Sequence, residues 1–117
     1  MKIRSVQVGP FRYSVSAMTS EEIGDDCGRG FINTRTCEIK IDTTYSRQIQ
    51  IEVLWHEVKH AIHHLASLCD ESKEEDYCTR AAPLDLMVLK DNPRLTKILL
   101  GEDNDTGSVV QGTCHDN

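Results

Sequence analysis

The sequence predicts an α+β fold in which a short antiparallel sheet packs against one long helix that is followed by further helices. Up to Asp42, apolar residues alternate with polar ones, which is typical of strands with one buried face. From about Ser46 onward they recur at three- and four-residue steps, as on one face of a helix. The 117 residues suffice for one core, so we expect a single domain over residues 1–100 and a polar, flexible tail over residues 101–117.

The first two strands are predicted to form a hairpin. Residues 2–8 and 11–17 each alternate apolar and polar side chains, and Gly9-Pro10 between them is typical of a turn. Residues 19–30 are polar and contain three glycines, so we expect a loop there.

Two more short strands are predicted at residues 29–33 and 36–42, around a turn at Asn33-Thr34-Arg35. In the second of these strands, Ile39 and Ile41 share one face. Its polar residues share the other face, which predicts a half-exposed strand: Glu38, Lys40 and Asp42.

Three helices are predicted in the second half of the chain. The long one runs from Ser46 to about Leu68 and carries an apolar stripe. The next begins after Ser72 and reaches Lys90, with a break or kink near Pro83. A short third helix is predicted from its end signals, which are an N-cap, a proline in the first turn and a glycine stop: Asn92, Pro93 and Gly101.

The charge of the chain excludes some classes of function. The formal net charge is −6 and the isoelectric point is about 5.3, and no lysine or arginine cluster is present. Nucleic-acid binders need a basic face to displace counterions, so we expect no nucleic-acid partner. The five cysteines form no Cys-x-x-Cys zinc ribbon, and we expect them to be reduced and mostly buried.

The chain contains no apolar run of about 18 residues, so we expect no membrane span. Its first residues alternate polar and apolar side chains and lack the apolar stretch of about 7–15 residues that marks a secretory signal. We therefore expect a cytoplasmic protein.

The long helix carries a His-Glu-x-x-His motif that predicts a zinc site. His56 and His60 are four residues apart, so their side chains project from one helical face and can take two positions of a tetrahedral zinc. Glu57 lies beside the first histidine, where its carboxylate can accept a proton from a metal-bound water. His64 follows His60 at the same spacing of four, so His60 and His64 form an alternative pair of ligands. Otherwise we expect His63 at the edge of the cleft and His64 on the surface.

A third protein ligand has to come from elsewhere, since a catalytic zinc keeps three protein ligands and one open position. Acidic residues cluster at the start of the next helix, and we expect Glu75 to be the ligand, with Glu74 as the alternative. Glu71 and Asp76 remain further candidates. Ser72-x-x-Glu75 is also a capping box, in which Glu75 would bind the Ser72 amide and no metal.

The motif and its surroundings resemble the zincin-like metallopeptidases. More narrowly, they are similar to the small ImmA/IrrE-type proteins and the short zincin-like proteins of bacteriophages. The stretch from Ile39 to Ile62 resembles their core, which is a strand followed by a Leu-x-His-Glu-x-x-His-Ala helix, here Leu54-Trp55-His56-Glu57-Val58-Lys59-His60-Ala61. Glu74-Glu75-Asp76-Tyr77, Ala81-Ala82-Pro83-Leu84 and Asp91-Asn92-Pro93 are similar to the downstream part of the phage-type members.

This resemblance implies a minimal zincin-like fold and a set of roles. His56, His60 and either Glu75 or Glu74 would bind zinc, and Glu57 would activate the water. The strand at residues 36–42 would bind an extended peptide by edge pairing. Four side chains are open as stabilisers of the oxyanion: Tyr45, His63, Tyr77 and Arg80.

The expected function is therefore that of a zinc-dependent metallopeptidase that hydrolyses peptide bonds of a restricted protein substrate. The alternative is a zinc-binding interaction protein with little or no hydrolytic activity, such as a phage protein that binds a host factor. A small nucleic-acid-associated domain with a structural metal is the third hypothesis, against which the acidic charge counts.

Overall fold

The computed structural model describes residues 2–25, 28–67, 74–103 and 106–113, and the side chains of all of these except 74–80 and 111–113. The elements follow one another in this order: β1 (Ser5–Val8), β2 (Phe11–Ala17), α1 (Ser20–Gly24), β3 (Gly30–Asn33), β4 (Glu38–Ile41), α2 (Arg47–Ser67), α3 (Glu74–Asp91), α4 (Pro93–Leu99) and β5 (Gln111–Thr113). The α+β class is confirmed, and so are the four predicted strands, the predicted first hairpin and all three predicted helices.

The sheet is mixed, so the expectation of a purely antiparallel sheet was wrong. Its strand order is β1-β2-β4-β3, and β5 also pairs with β2. The β1–β2 and β3–β4 pairs are antiparallel, whereas β2 pairs with both β4 and β5 in parallel, with Val15 opposite Ile39. The second hairpin docks through its second strand, and this places β4 inside the sheet and β3 at its edge.

Helix α2 packs against β1, β3 and β4 and buries its apolar stripe in the core. Leu54, Val58, Ala61 and Ile62 are fully buried there. They meet the inward-facing residues of the sheet, which form one cluster with them: Val6, Val8, Tyr13, Val15, Ile39 and Ile41. The packing of α2 on the sheet therefore fixes which helical face remains for function.

The predicted loop at residues 19–30 contains the short helix α1, so that prediction was wrong in its first part. Thr19 Oγ1 accepts a hydrogen bond from the Glu22 amide at 3.1 Å, and the Thr19 amide donates to Glu22 Oε1 at 2.7 Å. This Thr-x-x-Glu capping box stabilises the helix start and can be recognised in the sequence.

The polar face predicted for β4 is not half-exposed. Lys40 and Asp42 are only 7% and 6% exposed. Lys40 Nζ lies 3.9 Å from Glu22 Oε1, and Asp42 Oδ1 accepts hydrogen bonds from the Thr44 amide and hydroxyl. The strand is central, and neighbouring residues cover the face that the alternating pattern assigned to solvent.

Part of the segment expected to be a flexible tail belongs to the sheet and the core. Val109 and Val110 are fully buried, and β5 extends the pairing of β2. Gln50 on α2 holds this segment, because its Oε1 accepts hydrogen bonds from Ser108 Oγ at 3.0 Å and the Val109 amide at 3.2 Å. Arg47 on the same helix forms an ion pair with Asp103.

Helix α3 contains Pro83 in its interior and is followed directly by α4. The Asn92 side chain does not cap α4 as expected, because its amide group binds residues of β1 and α3 instead. Asn92 Oδ1 accepts from the Gln7 amide at 2.9 Å, and its Nδ2 donates to the carbonyls of Gln7 and Val88. Among the described residues, no helix is both long and apolar enough to cross a lipid bilayer.

Candidate metal centre

The motif histidines converge on one point at the surface of α2. His56 Nε2 and His60 Nε2 lie 3.1 Å apart, and the two rings meet edge to face with centroids 4.7 Å apart. Both side chains are exposed, since they lie off the stripe that packs on the sheet. A helical spacing of four brings the two nitrogens together without help from any other element.

This geometry fits a zinc ion. Two nitrogens bound tetrahedrally at about 2.0–2.1 Å from zinc lie about 3.3 Å apart, close to the observed Nε2 separation. Ligand atoms of His56, Glu57 and His60 all lie within 4.8 Å of one another. They form the one group of three or more candidate ligands among the residues that the structure describes, and His64 is not part of it.

Glu57 is buried beside the two imidazoles. Its side chain is 6% exposed, and no hydrogen bond or ion pair holds its carboxylate within the described part of the chain. Burial raises the pKa of Glu57 above its ordinary value, while the neighbouring charges of His56 and His60 lower it by less. A carboxylate with a raised pKa is suited to accept and return a proton near neutral pH.

Strand β3 lies against α2 next to this group. A methyl group built at Gly30 would lie 2.6 Å from Val53 Cγ1 and 2.9 Å from the Lys40 carbonyl oxygen, so only glycine allows this approach. The strand pairs with β4 along one edge, and no described strand occupies the other. The expected peptide-binding segment at residues 36–42 was wrong, because β4 has β2 and β3 on its two edges. Strand β3 is the edge strand that lies beside the motif.

Helix α3 docks on the opposite side of the motif through Lys59. Lys59 Nζ lies 3.0 Å from both carboxylate oxygens of Asp85 and 5.8 Å from the centre of the Trp55 ring. The first residues of α3 are Glu74 and Glu75, the expected third ligands. Their side chains lie outside the described residues, as do Glu71, Ser72 and the side chain of Asp76, so the third ligand stays a prediction.

The expected oxyanion stabilisers are distributed as follows. Tyr45 stands against Arg29, with the guanidinium carbon 5.2 Å from the ring centre, and His63 is exposed on α2. The side chains of Tyr77 and Arg80 lie outside the described residues. The structure thus assigns this role to none of the four.

A cavity of about 300 Å³ opens beside the motif between α2 and the start of β3. Its lining includes His56 and Glu57 together with three residues that the sequence analysis did not single out for function: Arg29, Gly30 and Glu52. Glu52 precedes His56 by four residues, about one helical turn, so the sequence alone indicates that the two side chains share a helical face. A cavity of about 370 Å³ at the junction of β1 with α3 and α4 contains no motif residue.

In comparisons with known proteins, no protein family, curated protein or solved structure matches the chain.

Proposed function

We propose that this protein is a zinc-dependent metallopeptidase that hydrolyses peptide bonds of a restricted protein substrate. The observation that carries the proposal is the buried carboxylate of Glu57 beside two converging imidazole nitrogens. Burying a carboxylate without a hydrogen-bond partner costs stability, so a local functional role explains why it is there.

Each residue has a role in this mechanism. His56 and His60 would hold the metal through Nε2, and Glu75 or Glu74 would complete the ligand set. When bound, zinc would polarise the scissile carbonyl and lower the pKa of the attacking water. The Glu57 carboxylate takes the proton from the attacking water and then donates it to the nitrogen of the leaving amine.

The substrate is expected to bind as an extended peptide along the open edge of β3. Main-chain hydrogen bonds to Gly30–Asn33 would add a strand to the sheet and pass the peptide over the motif. The neighbouring cavity of about 300 Å³ has room for only one or two side chains. Such a shallow site supports a restricted substrate and not general proteolysis.

The alternative is a zinc-binding protein that docks a partner and has little or no hydrolytic activity. The exposure of both imidazoles favours it, because a site so open to water excludes bulk solvent poorly from the reacting groups. The two functions share the metal and differ in whether Glu57 is needed.

The first experiment measures zinc by elemental analysis in untagged wild type and in His56→Ala, His60→Ala, Glu74→Ala and Glu75→Ala. We expect about one zinc per chain in wild type, loss in both histidine variants and weakening in one glutamate variant. His64→Ala is the matched control, because His64 lies on the same helix outside the group. Wild type that takes up no zinc would refute the proposal.

Cleavage then separates the two functions. We expect Glu57→Gln to keep its zinc and lose a cleavage that wild type performs on a peptide library. Zinc binding without any cleavage by wild type would favour the interaction protein.

A further inference from the structure

Arg29 stands on the wall of the cavity beside the motif and is held there by a ring. Its guanidinium carbon lies 5.2 Å from the centre of the Tyr45 ring, and its carbonyl accepts a hydrogen bond from the Asp42 amide at 2.8 Å. No carboxylate pairs with this guanidinium among the residues that the structure describes. The guanidinium therefore lies against the Tyr45 ring and still has its N–H donors available for a ligand.

Glu52 is the other charged residue of the cavity outside the motif. It is exposed on α2, and no ion pair joins it to Arg29 in the described part of the chain. Once a divalent metal is bound, its two charges balance those of Glu57 and of the glutamate ligand, and Arg29 balances Glu52. The cavity would then carry no net negative charge that repels an anionic group, and the Arg29 guanidinium would be free to attract one.

These observations point to one substrate class. Building on the proposed peptidase function, we propose that Arg29 is a specificity-determining residue that binds a carboxylate of the substrate next to the scissile bond. A guanidinium group is planar, and two of its N–H groups can donate parallel hydrogen bonds to the two oxygens of a carboxylate. The contact with Tyr45 orients these N–H groups in advance, so binding costs less side-chain entropy.

The carboxylate has two sources, an acidic side chain within the peptide or a free C-terminus. Both present the same two oxygens to Arg29, so the structure assigns the chemistry and the probes separate the sources. Hexapeptides that differ only in a central Glu, Gln or Lys, each with a free and an amidated C-terminus, cover the cases.

The experiment measures binding of these fluorescein-labelled peptides by anisotropy to zinc-loaded Glu57→Gln protein, which prevents cleavage during titration. We expect the Glu peptide or the free C-terminus to bind about tenfold more tightly than its neutral partner, as for one charge-assisted pair. Adding Arg29→Gln should remove this preference, and Arg29→Lys should retain part of it, because the charge stays and the paired N–H donors are lost.

Two further variants make the result specific. Arg12→Gln removes the same charge at the β1–β2 hairpin, where Arg12 binds Ser5 Oγ, and should leave the preference unchanged. Glu52→Gln should tighten carboxylate binding, because it removes a repelling charge from the same cavity. If Glu52 governs selection instead, the Lys peptide binds best and Glu52→Gln abolishes that preference, which would overturn the assignment.

Zinc content of the same sample separates this inference from the proposed function. A sample without zinc refutes the peptidase proposal. Equal affinity for charged and neutral peptides on a zinc-loaded sample refutes the role of Arg29 alone. A carboxylate preference that survives Arg29→Gln would also overturn the role, since the metal itself would then be the binding group.

Discussion

The two sides of helix α2 differ in what they contribute to the protein. The side that faces the sheet buries Leu54, Val58, Ala61 and Ile62 and supplies part of the core. The side that faces the cleft exposes His56 and His60 and buries the charged group of Glu57. One helix thus stabilises the fold along one stripe and gives up stability along the other, which is the usual relation between core packing and a functional site.

The largest effect is expected from a cavity on the sheet-facing side. Leu54→Ala should lower the free energy of unfolding by about 3 kcal/mol, because the side chain is fully buried and a packed core relaxes only partly around the space it leaves. Urea denaturation of the chelated protein measures this. Leu86→Ala on α3 is the control, since Leu86 is 68% exposed and its loss should change stability by less than about 0.5 kcal/mol. Similar losses in both variants would contradict the comparison.

Gly30 lies where the sheet meets the cleft-facing side of α2, and its lack of a side chain lets β3 approach the helix beside the motif. Gly30→Ala should cost about 1–3 kcal/mol, since its methyl group would clash with Val53 Cγ1 and with backbone at the Lys40 carbonyl. Urea denaturation should show this loss, and the cost of Gly30→Ala should be smaller when it is measured in a Val53→Ala background. Gly24→Ala meets nothing within 4 Å and should have little effect.

An equal cost of Gly30→Ala in the wild-type and Val53→Ala backgrounds would show that the Lys40 carbonyl alone limits the approach. Coupling between Gly30 and Val53 would show that the helix sets the position of the strand.

The same contrast explains what the sequence could predict. The course of α2 and the convergence of His56 with His60 follow from local periodicity, so the sequence alone predicts both. The parallel pairing of β2 with β4 and the burial of Lys40 depend on partners distant in sequence, which alternation along one strand does not encode.

The candidate site divides in the same way. Glu57 was predicted as the base from its place in the motif, whereas Arg29 reaches the cavity through the docking of β3 beside α2, which no local pattern encodes. The burial of Val109 and Val110 is not visible in the sequence, because two valines are too few to form a periodic pattern. Glu75 and Glu74 remain predictions for the third ligand.

On the cleft-facing side, removing a charge should raise stability. Glu57→Gln should increase the free energy of unfolding of the chelated protein at pH 7 by about 1–2 kcal/mol, because it replaces a buried carboxylate without a partner in the described chain. Folding raises the pKa of Glu57, so the protonated carboxyl group is favoured in the folded state. The stability that this contributes is complete below pH 4.5, the ordinary pKa, and is lost as the pH rises through the pKa of the folded state. The gain should therefore shrink towards pH 4.

Urea denaturation at pH 4 and pH 7 checks both the sign and its pH dependence. Glu52→Gln is the matched control, because Glu52 is exposed on the same helix and its loss should be nearly neutral at both pH values. A Glu57 variant that is less stable than wild type at pH 7 would mean that the carboxylate has a structural partner.

The smallest effect at neutral pH concerns Tyr13, a buried ionisable group on the core side of the sheet. Burial raises the pKa of Tyr13 above 10.0, and the nearby Cys37 raises it further. Its contribution to stability is therefore complete below pH 10.0 and is lost as the pH rises through the folded value. Tyr13→Phe should match wild type at pH 7 to within about 1 kcal/mol and lose less stability at pH 10.5.

Thermal unfolding at both pH values tests this, with exposed Tyr45→Phe as the control that should follow wild type. An equal alkaline loss in Tyr13→Phe and wild type would place the titrating group elsewhere in the core.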